Sequence, residues 1–227
     1  MSSPTQDFRV RSATPYDLLS LSTIVPRSFH PTNPYIQRLF PNTPAVQKWW
    51  QEIWTTKLQT PTTSHLLTVE STNPNPNPNN DANDTNITTN KSLGILSMQL
   101  FAPTQSGAGL YTTFTPTPDH DQQAYHDVAS NLASGRETLM TGAPHFCIEL
   151  FGVDHEAKGL GLGKELLLRA CAIADGAGLP IFVMANASAK GIYTKFGFEV
   201  REARVMPGED GYEEFMLVRP VGGSGLV

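Results

Sequence analysis

This 227-residue sequence lacks clustered basic residues, a long apolar run and an apolar N-terminal segment. Its net charge is −5, and it has no group of lysines or arginines that could neutralise the phosphates of a nucleic acid, so no nucleic-acid partner is expected. No run approaches the roughly 18 apolar residues of a membrane span, and the N-terminus has no apolar core of a secretory signal. We therefore expect a cytoplasmic protein without a membrane partner.

Cysteine and histidine are too sparse to suggest a disulfide or a metal site. Cys147 and Cys171 lie far apart in apolar surroundings, which favours buried free thiols. The six histidines are scattered, without a pair at ligand spacing and a third partner nearby. No metal is therefore expected.

Hydrophobic periodicity predicts strands and helices in mixed order. The predicted strands lie in "DFRVRSAT", "SHLLTVES", "SLGILSMQLFAP", "PHFCIELFGV", "LPIFVMA", "FEVREARVM" and "YEEFMLVRP". The predicted helices lie in "PYDLLSLSTIVPRSF", "TPAVQKWWQEIWTTKL", "DHDQQAYHDVASNLAS", "GLGKELLLRACAIADGAG" and "SAKGIYTKF". This order, with one strand–helix–strand unit in the middle, predicts a single α+β domain over residues 1–227.

Three segments between or beside these elements have distinct compositions. Residues 72–91 are rich in Asn, Pro and Thr without an aromatic residue, so we expect a disordered insertion at the tip of a hairpin. The helix around residues 46–54 has a stripe of three tryptophans, which favours core packing or a pocket wall over a cofactor site. Residues 104–142 are mostly polar and resemble a substrate-facing loop. We expect the substrate pocket at the last two segments.

The stretch "KGLGLGKELL", residues 158–167, places glycines at alternate positions before a predicted helix. Glycines let a backbone approach phosphate closely, and a helix N-terminus offers unpaired N–H groups. A nucleotide P-loop is excluded because Glu165 stands where that motif requires a hydroxyl. A dinucleotide fold is disfavoured because the spacing is G-x-G-x-G and no acidic residue ends the next strand. The remaining alternatives are a coenzyme A site and a tight turn without a ligand.

A second motif, "IYTKFGF" at 192–198, follows about 30 residues later. Together with "VDHEAKGLGLGKELL" at 153–167, it resembles the paired motifs of the GNAT superfamily of acetyl-CoA-dependent N-acetyltransferases. The resemblance implies the GNAT fold, a central mixed and mostly antiparallel sheet flanked by helices, with acetyl-CoA as acetyl donor. Lys158 and Leu160 depart from the family pattern, which has Gln or Arg at the first position and commonly a basic residue at the second. Lysine keeps the charge but loses the bidentate fork of arginine, so we expect altered phosphate contacts.

The resemblance also implies where the coenzyme binds. The pantetheine arm is expected along the end of the strand at 145–153, and the pyrophosphate against the glycine run. Asn186 and Ser188, after the following strand, are candidates for contact with the arm, although Ser188 is equally well explained as a helix N-cap. The predicted coenzyme-binding residues are Phe151, Gly152, Val153, Lys158, Gly159, Leu160, Gly161, Leu162, Gly163, Lys164, Asn186, Ser188 and Tyr193.

Tyr193 and Glu149 are the predicted catalytic residues. Tyr193 matches the family tyrosine near the thioester sulfur, which implies proton donation to the leaving thiolate; the alternative is a tyrosine that is only packed. Ile192 and Phe196 are expected to bury one face of its helix and leave Tyr193 beside it. Glu149 is the only charge in "FCIELFGV", which suits a general base. A carboxylate that binds the substrate amine or pairs with an arginine explains Glu149 equally well, and His145 is a weaker candidate for the base.

These inferences predict an N-acetyltransferase that moves the acetyl group of acetyl-CoA to a primary amine of a small molecule, by direct attack in a ternary complex. One alternative is an enzyme that acts on protein amines. Another is a catalytically inactive acyl-CoA-binding module that serves as a sensor or partner. A monomer or a homodimer is expected.

Overall fold

The computed structural model describes residues 8–72, 91–207 and 211–223, and within these ranges seven strands form one sheet. The strands are β1 (Phe8–Ser12), β2 (Ser64–Ser71), β3 (Gly94–Phe101), β4 (His145–Val153), β5 (Ile181–Asn186), β6 (Glu199–Val205) and β7 (Glu213–Arg219). Their order across the sheet is β1-β2-β3-β4-β5-β7-β6, and every neighbouring pair is antiparallel except β4 and β5. The predicted α+β class is confirmed.

Helices pack on both faces of this sheet. They are α1 (Leu18–Leu21), α2 (Ile24–Phe29), α3 (Pro34–Leu39), α4 (Pro44–Leu58), α5 (Leu110–Thr113), α6 (Gln122–Leu139), α7 (Leu162–Ala177) and α8 (Ala187–Lys195), with 3-10 helices at Pro15–Asp17 and His155–Ala157. On one face the core contains Leu166 of α7 and Tyr193 of α8. On the other face it contains Ile24, Trp50 and Val128, which belong to α2, α4 and α6. None of the described helices combines the length and apolar character needed to cross a membrane.

The sheet opens between β4 and β5. These two parallel strands pair only from Phe146, opposite Ile181, to Ile148, opposite Val183, although both continue further. On the other side of β4, Ser97 pairs with Leu150 and Met98 with Ile148, so Glu149 is an extra residue in a β-bulge. A bulge bends and twists its strand locally. The end of β4 is therefore left without a sheet partner on the β5 side, and a cleft forms there.

The predicted helices need correction in three places. The first helix is interrupted between Leu21 and Ile24, because Pro26 cannot donate the backbone hydrogen bond that a continuous helix would need. Helix α6 continues beyond the predicted pattern, to Leu139. Helix α3 is missing from the sequence-based prediction, although Pro34 is its first residue and the Asn33 side chain caps Ile36 N at 3.0 Å.

Other sequence predictions are confirmed or lie outside the described ranges. Cys147 and Cys171 are both buried and free. The predicted disordered insertion at 72–91 falls outside the described residues, except for Thr72 and Lys91 at its two ends. The stretch "PGEDG" at 207–211 predicts a turn between the last two strands, and its residues 208–210 likewise lie outside the described ranges.

Candidate active site

The glycine run forms a turn that only glycine adopts easily. Gly159 and Gly161 have φ angles of 86° and 79°, in the left-handed region that side chains with a Cβ avoid. No described atom lies within 4 Å of a Cβ built on either residue, so their conformation, and not crowding, requires glycine. The turn therefore presents an open stretch of backbone at the start of α7.

Helix α7 begins at Leu162 without a side-chain cap. Its N-cap is Gly161, and the first backbone bond of the helix runs from Glu165 N to Gly161 O, at 3.2 Å. The amides of Leu162, Gly163 and Lys164, which come before Glu165, have no partner within the helix. Unpaired N–H groups at a helix N-terminus, together with the helix dipole, favour an anion such as phosphate.

Gly163 has a different role from the two glycines before it. A Cβ there would lie 3.2 Å from Phe151 Cζ and 3.4 Å from Ile192 Cδ1. The absence of a side chain thus allows the start of α7 to approach β4 and α8 closely.

A cavity of about 630 Å³ extends from the glycine run along the ends of β4 and β5. This volume lies within the range of roughly 300–1,000 Å³ that is usual for ligand sites. The opposite wall includes Ser28, Phe29 and Asn33, from α2 and the segment after it. Seven of the predicted coenzyme-binding residues line this cavity: Phe151, Gly152, Val153, Lys158, Gly163, Asn186 and Ser188.

The other predicted coenzyme contacts divide into backbone and side-chain positions. Gly159, Leu160, Gly161 and Lys164 belong to the turn and the first helical turn but do not line the cavity. The side chain of Leu162 is buried in the core, with 2% of its surface exposed, so only its backbone is available to a ligand. The predicted coenzyme contact of Leu162 therefore stays a prediction for its backbone amide.

Asn186 and Ser188 act first on helix α8. Asn186 Oδ1 accepts a hydrogen bond from Ala189 N at 3.1 Å, and Ser188 Oγ donates to the same oxygen at 2.7 Å. Asn186 is thus the N-cap of α8, and the prediction of Ser188 as the cap is wrong. Both residues still line the large cavity.

A second, smaller cavity of about 100 Å³ continues from the large one. The two share the lining residues Phe29, Phe151, Asn186, Ala189 and Tyr212. The small cavity also contains Tyr193, from the face of the sheet covered by α8, and Tyr111 and Val128, from the opposite face. It therefore passes through the gap where β4 and β5 diverge.

Tyr193 is buried beside this gap. Its exposed fraction is 2%, and its ring contacts Phe151 and Phe198 with centroids 5.7 and 5.2 Å away. Burial, with a contribution from the charge of Glu214, raises the pKa of the Tyr193 hydroxyl well above its usual value, so the phenol stays protonated at neutral pH. The predicted helix face needs correction, since Tyr193 is more deeply buried than Ile192.

Glu149 lines the small cavity but is held in an ion pair. Its Oε2 lies 2.5 Å from Lys57 Nζ and accepts from Ser97 Oγ at 3.1 Å, while its Oε1 accepts from Leu110 N at 2.8 Å. Both carboxylate oxygens are thus held by partners within the protein. The geometry thus favours a structural ion pair for Glu149 over the predicted base role. From the sequence an arginine was considered as the partner, and the structure has a lysine instead.

Lys57 is a residue that sequence reasoning missed. It follows Trp50 and Trp54 at helical spacing on the buried face of α4, and only 6% of its surface is exposed. A lysine on an apolar stripe was the available signal. The tryptophan stripe itself does not line either cavity, so the expectation of a pocket wall at 46–54 is not met. The segment at 104–142, also expected at the pocket, does contribute Tyr111 and Val128 to the small cavity.

His145 lies at the other end of β4 and is structural. Its ring stacks on Phe101, its Nδ1 donates to the carbonyl of Ala143 at 2.8 Å, and its Nε2 lies 3.3 Å from Arg136 Nη1. Burial lowers the pKa of His145, and the neighbouring guanidinium lowers it further. The suggestion of His145 as a base is therefore wrong.

Glu214 is a second residue at the small cavity that is missing from the sequence-based prediction. It lies on β7 opposite Asn186, 7% exposed, and lines the small cavity. Burial raises its pKa to about 7, although interaction with the Tyr212 hydroxyl lowers it in part. Strand alternation places Glu214 on the same face as Met216, and this was the available signal. In the parts of the chain that the structure describes, no group of three or more His, Cys, Asp and Glu side chains is arranged to hold a metal ion.

Solved structures with the same fold are N-acetyltransferases. Arylalkylamine N-acetyltransferase like 5b from mosquito has a TM-score of 0.61 at 13% identity, covering 93% of this chain and 99% of that one. The ribosomal-protein-S18-alanine N-acetyltransferase from Escherichia coli has a TM-score of 0.53 at 12% identity, covering 96% and 97%. The paia N-acetyltransferase from Thermoplasma acidophilum, in complex with coenzyme A, has a TM-score of 0.52 at 12% identity, covering 94% and 99%. At these identities the likeness establishes the fold.

A sequence comparison matches one segment of the chain to a family model. Residues 120–198 match the model of the acetyltransferase (GNAT) family, a segment that contains both the glycine run and Tyr193. In this segment the chain is therefore similar to the GNAT acetyltransferases, a family whose acetyl donor is acetyl-CoA. A search of curated proteins found no matching sequence.

Proposed function

We propose that this enzyme transfers the acetyl group of acetyl-CoA to a primary amine of a small molecule, by direct attack in a ternary complex. The observation that carries the proposal is the pair of joined cavities. The larger one, of about 630 Å³, reaches the glycine run, and the smaller one, of about 100 Å³, is enclosed by aromatic and apolar side chains around buried carboxyl groups. This arrangement separates a large donor from a compact acceptor.

The donor fits the larger cavity. Its pyrophosphate would accept hydrogen bonds from the free amides at the start of α7, with Lys158 supplying a positive charge at the cavity wall. Its pantetheine arm would lie along Phe151, Gly152 and Val153, where β4 has no strand partner on the β5 side. There the backbone groups are available to the amides of the arm, as they would be to an added strand.

The acetyl group would then lie in the gap beside Tyr193. Attack by the neutral amine forms the N–C bond, and collapse of the tetrahedral intermediate breaks the C–S bond. Tyr193, which lines this gap, would donate its proton to the departing sulfur. Burial raises the pKa of the phenol, so Tyr193 carries the proton that this transfer needs.

The size and lining of the small cavity favour a small-molecule acceptor. Its walls include Tyr35, Leu39 and Tyr111, which offer apolar and aromatic surface without a basic side chain. A protein N-terminus or lysine side chain is the second candidate, and relatives of the same fold are named for acting on both arylalkylamines and a ribosomal protein.

Thiol release from acetyl-CoA tests the proposal. The panel should contain arylalkylamines, polyamines, amino acids, aminoglycosides and peptides with a free N-terminus or lysine. We expect amine-dependent release with at least one compact amine, and initial-rate lines that intersect when both substrates are varied. Release with peptides alone would assign the protein-amine alternative, whereas coenzyme binding by calorimetry without release for any amine would assign the inactive module.

A further inference from the structure

Glu214 is unusual among the buried carboxyl groups of this protein. Across the described residues, four carboxyl side chains are buried: Asp17, Glu149, Asp154 and Glu214. The first three each have a cationic partner, with Arg11 at 2.7 Å, Lys57 at 2.5 Å and Lys91 at 3.0 Å. Glu214 has no lysine, arginine or histidine within salt-bridge distance in the described ranges. A buried carboxylate without a cation is costly unless something supplies the charge.

Glu214 lies at the gap between β4 and β5, on the face of the sheet opposite Tyr193. Met216, two residues further along β7 and on the same face, is covered by Gly135 of α6. Phe215, between them, belongs to the core on the opposite face, together with Tyr193. Glu214 and Tyr193 thus approach the small cavity from opposite faces of the sheet, and both line it.

The surroundings of Glu214 suit a cation with an apolar body. Tyr212 packs on Tyr35 with ring centroids 4.6 Å apart, and its hydroxyl accepts from Asn33 Nδ2 at 3.0 Å, which fixes this wall. Leu39 and Val128 add apolar surface to the same cavity. Aromatic faces and a carboxylate both attract an ammonium group, whereas a second carboxylate on the ligand would be repelled.

We propose that Glu214 binds the ammonium group of the acceptor and takes its proton, and that the acceptor is a compact primary amine without a neighbouring carboxylate. This inference rests on the proposed function. One proton passes from the ammonium to the Glu214 carboxylate, and the neutral nitrogen then attacks the thioester carbon. As the C–S bond breaks, the thiolate takes the proton of Tyr193, which regains one from the nitrogen of the intermediate. The products are the amide, the free thiol and one proton, which Glu214 releases to solvent.

Steady-state thiol release tests the role of Glu214 with matched substrates and variants. Phenylethylamine and phenylalanine differ by one carboxylate, and we expect kcat/KM to be at least about tenfold higher for the former, a difference of about 1.4 kcal/mol. Glu214→Gln should lower kcat/KM for phenylethylamine by about 100-fold or more while the acetyl-CoA Kd from calorimetry stays unchanged. Glu199→Gln, on the exposed surface of β6, is the matched control and should keep wild-type values.

The pH profile separates proton transfer from a structural effect. In the wild type, kcat/KM should rise as the pH passes through about 7, the pKa of Glu214, and this limb should be absent in Glu214→Gln. The other titratable groups facing the cavity are Glu149, which is ion-paired, and Tyr35, Tyr111, Tyr193 and Tyr212. Burial raises the pKa of the last three of these tyrosines, which keeps them out of this range.

The outcomes distinguish this inference from the proposed function. If the wild type releases thiol and Glu214→Gln retains its kcat/KM and pH limb, the role of Glu214 is refuted while the proposed function stands. If the wild type releases no thiol with any amine, the proposed function fails, and calorimetry with phenylethylamine on the coenzyme A complex decides the role of Glu214. Binding that is lost in Glu214→Gln would support amine recognition, and equal or absent binding would overturn it.

Discussion

Removal of the positive charge beside Glu149 should destabilise the protein strongly. The Glu149 side chain is fully buried, the Lys57 side chain is 7% exposed, and Nζ lies 2.5 Å from Oε2, so water screens this pair little. In Lys57→Met the carboxylate loses its cation but keeps its hydrogen bonds from Ser97 and Leu110. Breaking one side of a buried pair typically costs about 3–5 kcal/mol, and we expect a loss in that range.

A double-mutant cycle and the protein's own fluorescence measure this effect. All three tryptophans lie on α4, the helix that carries Lys57, so urea unfolding can be followed by their emission. Lys57→Met with Glu149→Gln removes both charges, and the double variant should be more stable than Lys57→Met alone. A loss below about 1 kcal/mol in Lys57→Met, the usual size for an exposed pair, would refute this reasoning. Normal stability of Glu149→Gln with kcat reduced about 100-fold would instead restore Glu149 as the base.

Three further predictions concern the cleft. Tyr193→Phe should lower kcat by at least about tenfold while acetyl-CoA still binds by calorimetry, because it removes only the proton donor; full activity with every accepted amine would refute this role. Gly161→Ala should cost about 1–2 kcal/mol in urea unfolding and weaken coenzyme binding, because its φ of 79° strains any residue with a Cβ, and an unchanged midpoint would contradict this. Burial raises the pKa of Glu214 from 4.5 to about 7, so the neutral carboxyl gives stability that is fully present below pH 4.5 and is lost as the pH rises through about 7. Glu214→Gln should remove about 2–3 kcal/mol of this pH dependence, measured as the free energy of unfolding at pH 5 and pH 8, and an equal pH dependence in both proteins would argue against a buried, titrating carboxyl.

The coenzyme side of the site could be predicted from sequence because it is built locally. Gly159, Gly161 and the start of α7 are neighbours in the chain, and their conformation follows from glycine and helix-terminus chemistry alone. The same holds for the short helix that carries Tyr193, where Gly197, with a φ of 78°, ends the helical pattern.

The acceptor side could not be predicted because it depends on contacts between distant segments. Lys57 and Glu149 are 92 residues apart, so nothing local shows that the charge of one neutralises the other. Glu214 follows the exposed Glu213 in "YEEFMLVRP", and strand alternation separates the two glutamates but does not show that the face of Glu214 meets the gap; the pairing of β7 with β5 does. Helix α3 is one turn and a half long, and its contribution of Tyr35 and Leu39 to the cavity depends on packing across the sheet.

The central claim is that the joined cavities bring acetyl-CoA and a compact amine together for direct transfer. The most direct measurement is the rate of coenzyme A release at fixed acetyl-CoA while the concentration of phenylethylamine is raised, with the acetylated amine quantified by mass spectrometry. A saturable increase in thiol release, matched one to one by amide, is the predicted result. A protein that binds coenzyme A but releases it at the same slow rate with every amine and peptide would contradict the account.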